Sequence, residues 1–202
     1  MNPGQMDMIL RLRRSGIHDI DVLRAFETVP REKYVEPADY VRAYDEISLP
    51  LPCASMLPPP FALAVMMQSA QIKIGHKVLV AGEGSGYLAA LCGKLSARTY
   101  LVQRYQRLLL RAREIYSNTA TANVTQRHGD GSRGWGGQAP FDRILVAGNL
   151  AKIPGSLLNQ LAENGRIASI IAGQLTIYHD GQSRIILPLD IPDFESGKSK
   201  AL

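Results

Sequence analysis

The stretch that most constrains this chain runs from Lys77 to Leu91, Lys-Val-Leu-Val-Ala-Gly-Glu-Gly-Ser-Gly-Tyr-Leu-Ala-Ala-Leu, an apolar run that breaks into glycines and resumes at helical spacing. It reads as a buried strand, a tight turn and a helix. In an open α/β sheet such a junction sits at the carboxyl end of a strand, where backbone N–H groups and a helix N-terminus face a ligand crevice. Gly82, Gly84 and Gly86 form G-x-G-x-G. The dinucleotide fingerprint places its third glycine one residue later, at the position of Tyr87, so the turn is not that of an NAD site. Glycines here also serve a purely structural end, close packing at positive φ, and the motif alone does not choose between the two.

The rest of the chain supplies the alternation that such a sheet needs. Two short helices are predicted first, one over about Gln5–Arg14 ended by Ser15-Gly16, and one capped by Asp19 and ended before Pro30. From Leu49 to Pro60 there are five prolines, which exclude a helix or a central strand and predict a rigid ordered loop. A helix is predicted over Phe61–Ala70 and strands over Lys77–Ala81, Arg98–Val102, Asn123–Gln126, Asp142–Val146 and Arg166–Ile171. Helices are predicted at Tyr105–Ser117 and Gly155–Ala162, and a hairpin joins Gln174–His179 to Arg184–Leu187 around Asp180-Gly181. This order implies a largely parallel sheet, covered by helices on both faces and closed by an antiparallel hairpin.

Composition narrows the function classes. The longest apolar stretch, near Phe61–Met67, is too short to span a bilayer, and the first residues lack the basic start and apolar core of a signal peptide, so a cytoplasmic protein is expected. Cys53 and Cys92, with no His at ligand spacing, indicate neither a disulfide framework nor a metal site. The formal charge of +5 comes largely from scattered arginines, locally dense at 11–14 and 104–113; these rows read as solvated helix faces, since no aromatic interleaving marks a nucleic-acid module.

Across nearly its whole length the chain resembles the protein-L-isoaspartate O-methyltransferases. The resemblance rests on Arg14-Ser-Gly-Ile-His-Asp19, Val22-Leu-Arg-Ala25, Val29-Pro-Arg-Glu-Lys-Tyr-Val35, Leu49-Pro50, Gly82-x-Gly-Ser-Gly-Tyr87, His128-Gly-Asp-Gly131, Ala139-Pro-Phe-Asp142 and Leu158-x-Gln-Leu161. It implies a Rossmann-like class I methyltransferase fold with a seven-stranded sheet, S-adenosyl-L-methionine as cofactor, and repair of damaged proteins by methyl esterification of isoaspartyl carboxylates. One domain is expected over 1–192, with an N-terminal helical and substrate-loop region at 1–70 and a cofactor-binding core at 71–192, and the last residues, 193–202, read as a flexible tail. A carboxylate is already a nucleophile, so such a reaction needs positioning more than a general base. By position, the resemblance implies that the turn of Gly82, Gly84 and Gly86, with Glu83 and Ser85 between them, is the methionine and ribose cradle and that Asp130, with Gly131, is the acidic residue beside the adenine.

Several positions depart from the family pattern. Gln103 stands where members carry a ribose-binding carboxylate; losing the charge-assisted bonds predicts a deficit of about 1–3 kcal/mol, or ten- to a hundredfold in affinity. Val80 replaces an acidic residue of the first strand. Glu83 either occupies the helix N-terminal anion site itself or attracts the donor's sulfonium. In the substrate loop, Pro58 replaces the serine expected to meet the isoaspartyl carboxylate. Pro58, Pro59 and Pro60 crowd that position, leaving Ser55 as the nearest hydroxyl. The two readings that remain are a methyltransferase with weakened cofactor binding and a non-catalytic binding or interaction protein on the same fold.

Overall fold

The computed structural model describes residues 2–119 and 121–199. Helix α1 (Pro3–Arg14) begins where the Asn2 side chain accepts the Gln5 amide, with Pro3 in the first turn, where a missing N–H costs nothing. Helix α2 (Ile20–Thr28) is capped by Asp19, as the sequence predicts. Two short 3₁₀ helices follow, Arg31–Tyr34 and Pro37–Arg42.

The proline-rich segment folds back on itself as a two-stranded ribbon, β1 (Leu49–Pro50) against β2 (Met56–Leu57). Its bend places Cys53 and Ala54 at positive φ and is closed by a Leu51 amide bond to the Ser55 carbonyl, 2.9 Å. Helix α3 (Pro60–Ala70) then starts on Pro60 and ends with Gln71 in the left-handed region.

The remaining elements are β3 (Lys77–Ala81), α4 (Tyr87–Leu95), β4 (Arg98–Gln103), α5 (Gln106–Asn118), β5 (Val124–His128), β6 (Phe141–Leu150), α6 (Gly155–Leu158), β7 (Leu161–Ile171), β8 (Gln174–His179) and β9 (Gln182–Pro188). Seven strands form one sheet in the order β5-β4-β3-β6-β7-β8-β9, parallel through β7 and antiparallel for the last two. Strands β3 and β4 are near-continuous apolar runs because both sheet faces are covered. The reversal of strand order falls between β3 and β6, which fixes the crevice at their carboxyl ends.

Two expectations need correction. The predicted helix Gly155–Ala162 stops at Leu158, and β7 begins at Leu161 rather than Arg166, because Leu161 pairs with Phe141 in the parallel ladder. Asn164, at φ 60°, sits in the irregular stretch that lets the longer strand regain register at Arg166. Of the tail expected at 193–202, residues 193–199 lie on the sheet's crevice side, with Asp193 bridged to Asn149, while 200–202 lie outside the described residues. Among the described residues no helix is long and apolar enough to cross a membrane, and no group of three or more His, Cys, Asp or Glu is arranged to hold a metal.

Candidate nucleoside crevice

The glycine turn between β3 and α4 has Gly82 at φ 80° and Gly86 at φ 84°, so both occupy the region that side chains resist. A Cβ on Gly86 would also come within 2.8 Å of the Ala112 Cβ, which brings α5 close beneath the turn. Tyr116 of α5 donates its hydroxyl to the Gly86 carbonyl, 2.7 Å.

Glu83 is 1% exposed. Its carboxylate turns inward and accepts from the Ser85 amide at 3.0 Å, the Leu88 amide at 3.3 Å and the Ser85 hydroxyl. It therefore occupies the N-terminus of α4, the first of the two alternatives that its position allows. Burial pushes its carboxyl above the usual range, and the bonds from Ser85, Gly86 and Leu88 only partly offset that. Ser85 is buried with it, and its hydroxyl oxygen accepts from the Tyr87 amide, 2.9 Å.

Gln103, at the end of β4, does not present its amide to open space. Its Nε2 donates to the carbonyls of Gly84 (3.0 Å) and Glu83 (3.2 Å), and its Oε1 accepts from the Tyr105 amide at 3.4 Å. A carboxylate could not make the two donated bonds, so glutamine here clamps the glycine turn to the neighbouring strand. Val80 lies in the core of β3 between Leu101 and Leu145.

Beneath the turn, Tyr87 packs edge-on to Phe26 (5.9 Å between centroids) and tilted to Tyr34 (5.1 Å). The fully buried Arg31 guanidinium lies 5.3 Å from the centre of the Tyr87 ring and donates to the carbonyls of Ala43 (2.8 Å) and Pro58 (2.7 Å). This residue ties the proline-rich ribbon to the core. The ribbon in turn covers the crevice: a Cβ on Gly84 would strike the Ser55 hydroxyl and approach the Leu51 Cδ1 to 3.2 Å. Of the candidate substrate-loop residues, Ser55 and Pro58 line the cavity, whereas Pro59 and Pro60 belong to the start of α3.

A cavity of about 230 Å³ is bounded by Ser55, Met56, Gly82, Gly84, Gln103 and Gly131, and on its outer side by Pro192–Glu195. Thus Gly82, Gly84, Gln103 and Gly131 share one space, while Glu83, Ser85 and Gly86 support it from below. Asp130 caps the 3₁₀ turn Gly131–Arg133 by accepting from the Ser132 amide (2.9 Å) and hydroxyl (2.7 Å). Burial alone would raise the Asp130 carboxyl, but these bonds and one from the Gly197 amide hold it below the usual range.

The outer wall is what the sequence reasoning missed. Phe194 sits over the glycines: a Cβ on Gly82 would lie 2.7 Å from its ring, one on Gly131 3.1 Å from it, and one on Gly148 2.9 Å from its Cα. Tyr105 donates its hydroxyl to the Glu195 carboxylate, and Arg104 donates to the carbonyls of Ser196 and Gly197, the latter at 2.7 Å. Arg104 and Arg111 are thus not solvated members of an arginine row; Arg111 pairs with Glu36 and the Val35 carbonyl. The one available signal was that Phe194 is the single aromatic residue of 192–202.

A parallel sheet with this strand order, an antiparallel final pair and a glycine turn after its first long strand defines a class I methyltransferase fold. The model of the protein-L-isoaspartate(D-aspartate) O-methyltransferase family matches residues 3–176, and the chain belongs to that family. It is 40% identical over 161 residues to the protein-L-isoaspartate O-methyltransferase of Parvibaculum lavamentivorans, covering 80% of this chain and 72% of that protein. With the Xanthobacter autotrophicus relative of the same name it shares 42% over 163 residues, covering 81% and 74%. Among solved structures, one bearing that name superposes with a TM-score of 0.83 at 22% identity, over 94% of this chain and 65% of that one. A Plasmodium falciparum structure in complex with S-adenosyl-L-homocysteine gives 0.82 at 20% identity, over 96% and 99%.

Proposed function

We propose that this chain is a cytoplasmic methyltransferase that uses S-adenosyl-L-methionine to esterify isoaspartyl carboxylates in damaged proteins, the activity its relatives are named for. The observation that carries the reading is the convergence of the glycine turn, Gly131 and the end of β4 on one crevice, walled by the proline-rich ribbon that would meet the substrate. Ser55 is the hydroxyl best situated for that carboxylate, because the ribbon brings it against Gly84 while Pro58 offers neither a hydroxyl nor an N–H.

In this conformation the residues of the crevice do not fit the donor. Phe194 takes the space over Gly82 and Gly131, and the remaining cavity of about 230 Å³ falls short of the roughly 300–1,000 Å³ of ordinary ligand pockets. Transfer of labelled methyl from S-adenosyl-L-methionine to an isoaspartyl peptide, compared with its aspartyl counterpart, tests the proposal. Incorporation into the first alone is expected; none into either sinks it.

A second reading, a non-catalytic binding protein on the same fold, is favoured by Glu83 and Gln103. Glu83 is committed to bonds within the turn, and Gln103, although it lines the crevice, spends its amide N–H groups on the carbonyls of that turn. Calorimetric titration with S-adenosyl-L-homocysteine separates the readings, since only the first requires nucleoside binding.

A further inference from the structure

The segment Pro192–Ser199 lies where an adenosyl group would have to enter, and we infer that it is an intramolecular ligand of the crevice. It is a strap that holds the site shut and has to peel away before a nucleoside binds. The inference rests on the methyl-transfer function proposed above and adds a control element to that site.

Three observations carry it. The first is shape. Phe194 is seated where Gly82, Gly131 and Gly148 leave room: a Cβ at Gly82 or Gly148 would collide with it, and one at Gly131 would press on its ring at 3.1 Å. The strap thus uses the same bare backbone that a nucleoside crevice needs.

The second is directed bonding. Asn149, near the end of β6, donates its amide to the Pro192 carbonyl (2.9 Å) and accepts the Phe194 amide (2.8 Å) on its own carbonyl. Its side-chain Nδ2 donates to Asp193 at 2.8 Å, and its Oδ1 is fixed by the Gly173 amide at 2.9 Å. Further out, Tyr105 holds Glu195, Arg104 holds the Ser196 and Gly197 carbonyls, and the Ser199 amide returns to the Arg104 carbonyl at 3.3 Å.

The third is that this grip is shallow. Phe194 is only half-buried, and the Arg104–Glu195 pair, 3.1 Å apart, leaves the Glu195 side chain 59% exposed. Contacts of this kind hold a segment in place without fusing it to the core. A strap closed in about 90–99% of molecules would lower apparent nucleoside affinity by about ten- to a hundredfold.

The test is calorimetric titration of S-adenosyl-L-homocysteine into the full chain, into a chain ending at Ile191, and into Gly148→Ala at full length. The methyl group that Gly148→Ala adds would press on the Phe194 backbone without removing the strap, and Gly148 has no positive φ that forbids alanine. The truncated chain is expected to bind about ten- to a hundredfold more tightly, with Gly148→Ala shifted the same way. Amide exchange gives an independent reading: the Phe194 N–H, bonded to the Asn149 carbonyl, is expected to be protected in the free protein and to lose protection when S-adenosyl-L-homocysteine saturates it. Equal, measurable binding by full and truncated chains overturns the strap and leaves the methyl-transfer reading standing. Absence of binding by every form overturns both. Should the truncated chain fail to fold, Gly148→Ala and the exchange measurement decide, and a Phe194 amide that stays protected with nucleoside bound overturns the strap.

Discussion

The glycine turn is closed from below and from above by two regions that differ in kind. Below it, Glu83, Ser85, Tyr87 and Gln103 are buried, and the hydrogen bonds of Glu83 and Gln103 join residues 2 to 20 apart in sequence. Above it, Phe194 is only partly buried, and Glu195 and Gly197 are held by partners 90 or more residues away, through side chains that remain partly open to solvent. The lower closure is part of the cooperative core; the upper one can open while the core stays folded. A site that must admit a ligand needs its removable contacts on the outer side, and the chain distributes them that way.

The largest effect is expected where the lower region loses volume. Tyr87→Ala removes a fully buried ring that contacts Phe26, Tyr34 and Arg31, and should cost about 3–5 kcal/mol in urea unfolding. Truncating the upper aromatic should not come near this value, and if the two losses were equal the contrast would fail.

Next is Gln103→Glu. On the sequence alone this change restores the family's carboxylate and should help the donor. In the structure it deletes two donated bonds to the Gly84 and Glu83 carbonyls and sets a charge against them, so a loss of about 1–3 kcal/mol is expected. Denaturant midpoints of the two proteins check it. A gain in stability would mean the amide is not the clamp.

Glu83 gives a pH test of the same region. Its carboxyl is raised by burial in the folded state, so its contribution is fully present below the unfolded carboxylate range and is lost as pH rises through the folded value. Stability should therefore decline from acidic toward neutral pH, and Glu83→Gln should flatten that slope while keeping an acceptor for the Ser85 and Leu88 amides. Thermal melts of both proteins across that window measure it. Parallel slopes would show that Glu83 is not the group responsible.

The same contrast explains what was legible in the sequence. Helix caps such as Asp19, the apolar runs of β3 and β4, and the Asp180-Gly181 hairpin are written in local periodicity and turn chemistry. So was the glycine turn, and with it the crevice. What could not be read is set by tertiary contacts. The inward turn of Glu83 depends on how α4 begins, and the clamp by Gln103 depends on two carbonyls from another loop. The shortening of the helix at Leu158 follows from pairing of Leu161 with Phe141, a partner 20 residues earlier. The strap was the least legible element, since polar residues after Ile191 carry no periodicity, and its anchors Asn149, Arg104 and Tyr105 look like ordinary surface residues until the chain folds.

The smallest effect is expected at the outermost anchor. Arg104 lies against Tyr105, its ring centre 5.4 Å away, and reaches Glu195 and two tail carbonyls, yet Glu195 is largely solvated. Exposed pairs of this kind contribute about 0.2–1 kcal/mol, so Arg104→Ala should change global stability by less than about 1 kcal/mol. A double-mutant cycle with Glu195→Ala should return a coupling in the same range and shrink further in high salt. Local readouts should move where the global one does not: amide exchange at Gly197 and Ser199 is expected to quicken while that of β3 stays fixed, because losing the anchor frees the strap and leaves the lower closure untouched. If Arg104→Ala instead destabilised the whole chain as Gln103→Glu does, the upper region would be core after all, and the strap would not be free to open.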